Sequence, residues 1–299
     1  MNALILVNPQ AAGGRAKKLF PQLEAQCQPY LQHFDHFKMV MPESVEDGLR
    51  LLKQTAPHTR VVIVGGDGTL NQMLPALMHS AFEIGLVPYG SGNDCARAWG
   101  LHRMAWPDAL KFALFEKAQK IDLGRVELAA GKVHYFHSSL AIGFDASVGN
   151  RALAGPKFLR GLPRYLLATL RELTQLRNWE MQICINDAIA HQGTTLLAST
   201  LNTPSYGGGM PAVPHALIDD GQLNLLMAGQ FNRLQTLLML PRLLMGLHLS
   251  HNRIRTVAFS KATINSSQAL PIAADGESLG YDHQINIEVL PSALNVIRF

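Results

Sequence analysis

The chain has 299 residues, 47% hydrophobic and 16% charged, which is too apolar for a disordered chain and long enough for two domains. With 26 Lys+Arg against 22 Asp+Glu, the net charge of +4 tolerates anionic partners, but no basic tract marks a nucleic-acid arm and no nucleic acid is expected. Cys27, Cys95 and Cys184 are too few and too scattered for a disulfide framework or a zinc site.

The first apolar run lacks a basic start, is too short for a signal peptide and stops at Asn8-Pro9; it reads as a buried strand, residues 4–7, of a cytosolic protein. A loop with Gly13 and Gly14 leads into a helical stretch to about residue 28. A strand over 34–40, a helix over 45–54, a strand over 61–64, a helix over 69–79, a strand over 84–88 and a short helix over 95–99 follow. This alternation predicts a parallel sheet with helices on both faces. Parallel strands buried on both sides should be continuously apolar, as Val61-Val62-Ile63-Val64 is.

After about residue 121 the rhythm changes. Short strands are expected at 125–128, 133–140, 181–185, 194–201, 223–228, 255–260, 264–265 and 284–289, with helices at 157–176 and 234–245. The pattern predicts an α/β domain over 1–122 and a mostly antiparallel, β-rich domain over 123–290, with a strand-like tail, about 291–299, that returns to the first. The most apolar stretch, 234–249, is broken by Pro241, Arg242 and His248 and falls short of the roughly 20 residues that span a membrane. It reads as a buried helix pair with a proline break, or as a surface resting on lipid. Lys157, Arg160, Arg164 and Arg171 lie among apolar residues, as on a solvated amphipathic helix or a dock for an anionic membrane surface.

The strongest chemical signal is Gly65-Gly66-Asp67-Gly68-Thr69-Leu70-Asn71, where a buried strand stops and a helix opens. Backbone N–H groups in such a turn, with the helix dipole behind them, suit a phosphate, and the motif by itself equally fits a tight strand-to-helix turn with no ligand. It is neither a Rossmann fingerprint nor a P-loop, since both spacings are missing. Pro88 runs likewise into Tyr89-Gly90-Ser91-Gly92-Asn93-Asp94, and a third turn, Asn8 to Arg15, follows the first strand. Three phosphate-compatible turns at the carboxyl ends of parallel strands would converge on one crevice. Asp219-Asp220-Gly221 and Asp275-Gly276 are, on their own, hairpin turn signals, and Asp122 on its own could end a strand.

Together with Ile121-Asp122-Leu123-Gly124, Gly143-Phe144-Asp145, Asn202, Gly207-Gly208-Gly209, Asp219-Asp220-Gly221 and Asp275-Gly276-Glu277, this set resembles the diacylglycerol kinase catalytic-domain family, in particular its soluble bacterial lipid kinases. The resemblance covers nearly the whole chain. It implies an ATP-binding α/β domain, a β-rich domain and catalysis in the cleft between them. It also implies that Asn8, Arg15, Gly65 to Asn71, Gly90, Ser91 and Asn93 hold the nucleotide. Asp67, Asp94 and Asp122 would surround the accompanying Mg²⁺, and Glu277 would be the base facing a lipid hydroxyl, with Asp94 and Asp275 also counted as catalytic. Asp220, with the carbonyls of Leu217 and Gln222, resembles a separate structural metal site.

Three departures stand out: Ser91 replaces a threonine, Arg15 replaces a frequent lysine, and Cys95 stands where an aromatic is usual. None removes a required functional group. The implied activity is ATP-dependent phosphorylation of diacylglycerol or a related lipid by a cytoplasmic enzyme peripheral to the inner membrane, with oligomeric state, a homodimer included, left open. A kinase for a soluble substrate such as NAD, and a non-catalytic nucleotide or lipid sensor, are the alternatives.

Overall fold

The structure, a computed structural model, describes residues 1–78, 80–90, 92–156, 159 and 161–299. Contacts divide the chain into one unit of Met1–Ile121 with Ser292–Phe299 and a second of Asp122–Pro291.

The first unit runs β1 (Asn2–Val7), α1 (Ala11–Cys27), β2 (His36–Val40), α2 (Val45–Gln54), β3 (Arg60–Gly65), α3 (Asp67–Leu77), β4 (Glu83–Pro88), α4 (Asp94–Ala98) and α5 (Trp106–Phe115). The strands lie parallel in the order β2-β1-β3-β4, and residues 292–297 add a further parallel strand through Val296 opposite Ile84. Every residue of β3 is buried, as a strand covered on both faces requires. Ile5, Val7, Val62, Val64 and Val87 pack on one face with Leu19 and Leu23 of α1 and Leu110 and Leu114 of α5. Alternation turns Leu4, Leu6, Val61 and Ile63 to the other face, where α2 and α3 meet.

Two local features depart from the periodicity. Ala12, Gly13 and Gly14 are left-handed (φ 53°, 71° and 86°), so the regular turns of α1 begin only at Arg15. Helix α5 was not expected: Ala109, Leu110, Ala113 and Leu114 are buried, but ten mostly apolar residues with few polar ones between them give a weak 3.6-residue signal.

The second unit comprises β5 (Ala118–Leu128), β6 (Val133–Phe136), β7 (Ser139–Ile142), α6 (Phe144–Leu153), α7 (Leu162–Glu172), β8 (Trp179–Ile185), β9 (Ala188–Leu201), β10 (Leu223–Gly229), α8 (Arg233–Leu244), β11 (Ile254–Phe259), β12 (Lys261–Ala274) and β13 (Glu277–Ile297); the division between units falls within β5 and β13. The pairing is antiparallel in the order β11-β10-β9-β7-β12-β13, with β8 joined to β9 and β12, and β5 joined to β6 and β13. Burial alternates along β8, the mark of a strand with one face on the core.

Strands β12 and β13 are far longer than the expected 264–265 and 284–289, because the register shifts between Asn265 and Leu270 and carries the ladder past the polar Ser266, Ser267 and Gln268. Helix α7 is shorter than the expected 157–176, and Lys157, Phe158 and Arg160 lie outside the described residues. Arg164 donates to the carbonyls of Ala152 and Leu153, so it caps the last turn of α6. The reading of 234–249 as a buried helix pair is corrected: α8 is one helix with Pro241 inside it, and Thr236 is its one buried residue. No helix among the described residues is long and apolar enough to cross a membrane.

Candidate active site

In the first unit, the two glycine turns are packed against each other so closely that only glycine fits. A Cβ on Gly66 would lie 2.8 Å from the Gly90 Cα, and one on Gly90 would lie 2.6 Å from the Gly66 Cα. The Tyr89 N–H donates to the Gly65 carbonyl at 2.7 Å. Asn93, itself left-handed (φ 54°), closes the second turn: its Oδ1 accepts from the Gly90 N–H and its Nδ2 donates to the Gly90 carbonyl.

Asp67 locks the pair. Its two carboxylate oxygens accept the backbone N–H groups of Asp94 and Cys95 at 3.0 and 2.9 Å, at the head of α4. The third turn joins through Asn8, whose Nδ2 donates to the Thr69 Oγ1 at 2.7 Å and whose N–H donates to the Val64 carbonyl. Helix α3 opens at Asp67, and the Thr69 and Leu70 N–H groups turn back to the Gly66 carbonyl. The N–H groups of Asp67 and Gly68, in the first turn, have no place in the helical ladder, and such groups are the ones a helix start offers to an anion. A Cβ on Gly68 would meet nothing within 4 Å, so that side of the turn is open.

Asn8, Gly65, Gly66, Asp67, Gly68, Thr69, Gly90, Asn93 and Asp94 are therefore assembled in one place, and Asn71 is half-buried on α3. Ser91 lies outside the described residues. Leu70 needs a correction, since its side chain is fully buried in the core and its N–H is engaged. It supports the turn and cannot reach a ligand. Arg15 is exposed at the start of α1, its Nε on the Ala12 carbonyl.

The second unit holds two acidic turns. Asp122 is buried, and its Oδ2 accepts the Gly221 N–H at 2.7 Å while its own N–H donates to the Ile218 carbonyl. Asp220 accepts the Gln222 N–H on the same turn, and Leu217 is exposed beside it. Within the second unit, Asp122 thus meets the 217–222 turn. Among the described residues no three His, Cys, Asp or Glu side chains converge on a metal position. Two carboxylates and neighbouring carbonyls are nevertheless the hard oxygen set that a divalent cation takes.

The other turn presents Glu277. Asp275 and Gly276 are both left-handed (φ 46° and 83°) and link Ala274 of β12 to Glu277 of β13, a two-residue hairpin of the Asp-Gly kind. The Asp275 carboxylate is buried and accepts three backbone N–H groups, from His137 at 2.8 Å and from Ser138 and Ser139 at 2.9 Å. That commits Asp275 to holding the hairpin that presents Glu277. Glu277 is exposed, yet partial desolvation, and secondarily the Asp275 charge, raise its pKa above the ordinary glutamate value.

A polar group near this hairpin had no role assigned from the sequence. Asp145 is half-buried and accepts hydrogen bonds from the Ser199 hydroxyl, the Ala146 N–H and the Tyr206 hydroxyl. Burial, only partly offset by these bonds, pushes its pKa up to about 6. Burial first, then the Asp145 charge, raises the Tyr206 phenol well above its usual value. The Gly143-Phe144-Asp145 block was the one available signal, and it carries no chemistry by itself.

Two known protein families match successive stretches of the chain. Residues 2–126 match the diacylglycerol kinase catalytic domain, and residues 138–298 match the YegS C-terminal NAD kinase beta sandwich-like domain. A diacylglycerol kinase of Mycobacterium tuberculosis is 31% identical over 238 residues, 80% of this chain and 76% of that one. A YegS-like lipid kinase of Chromohalobacter salexigens is 30% identical over 254 residues, 83% and 79% of the two chains. A diacylglycerol kinase structure from Bacillus anthracis covers all of this chain and 97% of its own, with a TM-score of 0.72 at 18% identity. An NAD kinase from Archaeoglobus fulgidus in complex with ATP covers all of this chain and 94% of its own, with a TM-score of 0.57 at 14% identity, and shares the fold. Similarity to these relatives runs along four-fifths of the sequence, and this chain belongs to the diacylglycerol kinase family, among its bacterial YegS-like lipid kinases.

Proposed function

We propose that the protein is an ATP-dependent lipid kinase that transfers the γ-phosphoryl group to a hydroxyl of diacylglycerol or a related lipid. The observation that carries this reading is the Glu277 carboxylate, raised in pKa and presented by a hairpin that Asp275 fixes. A pure binder of nucleotide or lipid has no use for such a base.

The steps follow from the groups present. Phosphoryl transfer depends chiefly on positioning and on neutralising phosphate charge. The N–H groups of Asp67 and Gly68 hold phosphate oxygens, with Arg15 adding positive charge from the exposed side. Asp67 and Asp94 are the residues that would hold Mg²⁺ beside the nucleotide, which when bound neutralises charge on the phosphates. Glu277 takes the proton of the lipid hydroxyl as its oxygen bonds to the γ-phosphorus and the bond to the β-phosphate oxygen breaks. The 217–222 turn, with Asp122 and Asp220, would hold a second divalent cation in a purely structural role.

The test is transfer of labelled γ-phosphate from ATP with Mg²⁺ to extracted bacterial lipids, beside NAD and a no-acceptor control. A labelled lipid is expected, with its rate reduced about 10²–10⁴-fold in Glu277→Gln while nucleotide binding survives. Label on NAD, or loss of nucleotide binding in that variant, defeats the assignment. Because the base must be ionised, the acid limb of the rate profile should lie above the ordinary glutamate range.

A further inference from the structure

Helix α8 is built inside out. At 3.6 residues per turn, Leu234, Leu237, Leu238, Pro241, Leu244 and Met245 fall on one face, the i, i+3, i+4, i+7 spacing that ordinarily turns toward a core. Here that face is in solvent: Leu234 is 65% exposed, Leu238 64% and Met245 62%. The opposite face, with Thr236, Met239 and Leu243, is the one that meets the unit's core. Leu247, just past the helix, is exposed as well, and the turn at Gly246 rests near Pro211 and Pro214.

The charges on this helix and on the segment that follows it have one sign. Arg233 and Arg242 are exposed and, at about 100° per residue, project about 100° and 80° to either side of Leu234. Arg253 and Arg255 are exposed on the following segment, and an open depression of about 740 Å³ at the head of α8 is walled by Arg233 and Arg253. No Asp or Glu occurs anywhere between Asp220 and Asp275. An apolar stripe edged by arginines without acids is the pattern of a helix that lies in a membrane interface. A second copy fits poorly, because a two-fold contact through this face would bring arginine against arginine with no carboxylate to separate them.

We propose that α8 docks the protein on an anionic lipid bilayer, its leucine face sunk into the headgroup and acyl boundary and Arg233 and Arg242 at the lipid phosphates. The inference rests on the lipid kinase reading only for its purpose, which is to bring the enzyme to a water-insoluble acceptor.

It is tested without nucleotide or turnover, so it can fail separately from that reading. The full chain is floated with phosphatidylcholine vesicles rich in phosphatidylglycerol and with pure phosphatidylcholine vesicles. Binding to the anionic vesicles is expected, falling with added salt, and it should weaken by about 30-fold or more in Leu234→Ser/Leu238→Ser. Arg233→Glu/Arg242→Glu should abolish the preference for anionic vesicles. As an independent readout, Leu238→Trp should show an emission shift to the blue on anionic vesicles and quenching by shallow brominated lipids. Unchanged flotation of both double variants, or a tryptophan that stays in water on bound protein, overturns the proposal. A serine variant that changes from dimer to monomer with vesicle binding intact would also overturn it, in favour of a contact between copies.

Discussion

Asp145 is a carboxylate kept in a place that favours its neutral form. Its pKa of about 6 lies above the 3.8 of an exposed aspartate, so the folded state binds the proton more tightly than the unfolded chain. The stability this contributes is fully present below pH 3.8 and is lost as pH rises through about 6. Two pKa units correspond to about 3 kcal/mol. Lowering pH from 8 to 5 should therefore raise the wild-type melting temperature relative to Asp145→Asn, which cannot titrate. A difference between the two that does not vary with pH would mean that Asp145 is not desolvated as described.

Asp275 is a buried carboxylate engaged by three backbone N–H groups. Asp275→Asn would turn an amide donor toward at least one of those N–H groups, leaving a buried group unpaired at a cost of about 1–3 kcal/mol. Denaturant unfolding should register that loss. Neither aspartate's circumstances could be read from the sequence, because burial and partners belong to β7, β9 and the 137–139 segment, far away in the chain.

At the scale of elements, the paired glycine turns make the sharpest claim. Gly90→Ala would drive a methyl group to 2.6 Å from the Gly66 Cα and 2.5 Å from the Asn93 Oδ1, contacts that real Cβ atoms do not make. The turns must separate, so nucleotide binding should fall at least tenfold by calorimetry, while the second unit's near-ultraviolet signal from Trp179 is unchanged. Gly68→Ala, on the open side, should fold normally; undisturbed nucleotide binding in Gly90→Ala would contradict the close approach.

These turns were legible because a buried parallel strand is a continuous apolar run, and glycine turns recur after successive strands. The long hairpin of β12 and β13 was only half legible: its polar middle breaks the alternation, and a register shift is invisible in a single sequence. Helix α8 shows a different limit. Periodicity located it within a residue, but the same stripe of leucines fits a core and an exposed face equally, and the exposure of Leu234 and Leu238 is set by how the helix sits on its unit.

At the scale of the molecule, the first unit is assembled from both ends of the sequence. Leu294, Val296 and Ile297 are buried, and the Phe299 ring stacks on Phe112 with centroids 4.4 Å apart. Each buried aliphatic side chain is worth about 1.5–3 kcal/mol. Deleting residues 292–299 should therefore cost the first unit most of its stability, seen as loss of its thermal transition with that of the second unit retained. A transition that survives unshifted would show the tail to be dispensable.

That returning strand also sets the order of events during synthesis. The first unit's helices and four strands leave the ribosome early, yet the β4 edge that Val296 pairs stays bare until Asp122–Pro291 has been made. At about 5–20 residues per second that is an interval of roughly ten to thirty seconds. During it a nascent chain carries an open, apolar sheet edge of the kind that recruits chaperones or neighbouring chains. A message cut short within the β-rich unit would leave that edge uncovered for good, marking the incomplete product for proteolysis before it could bind a nucleotide.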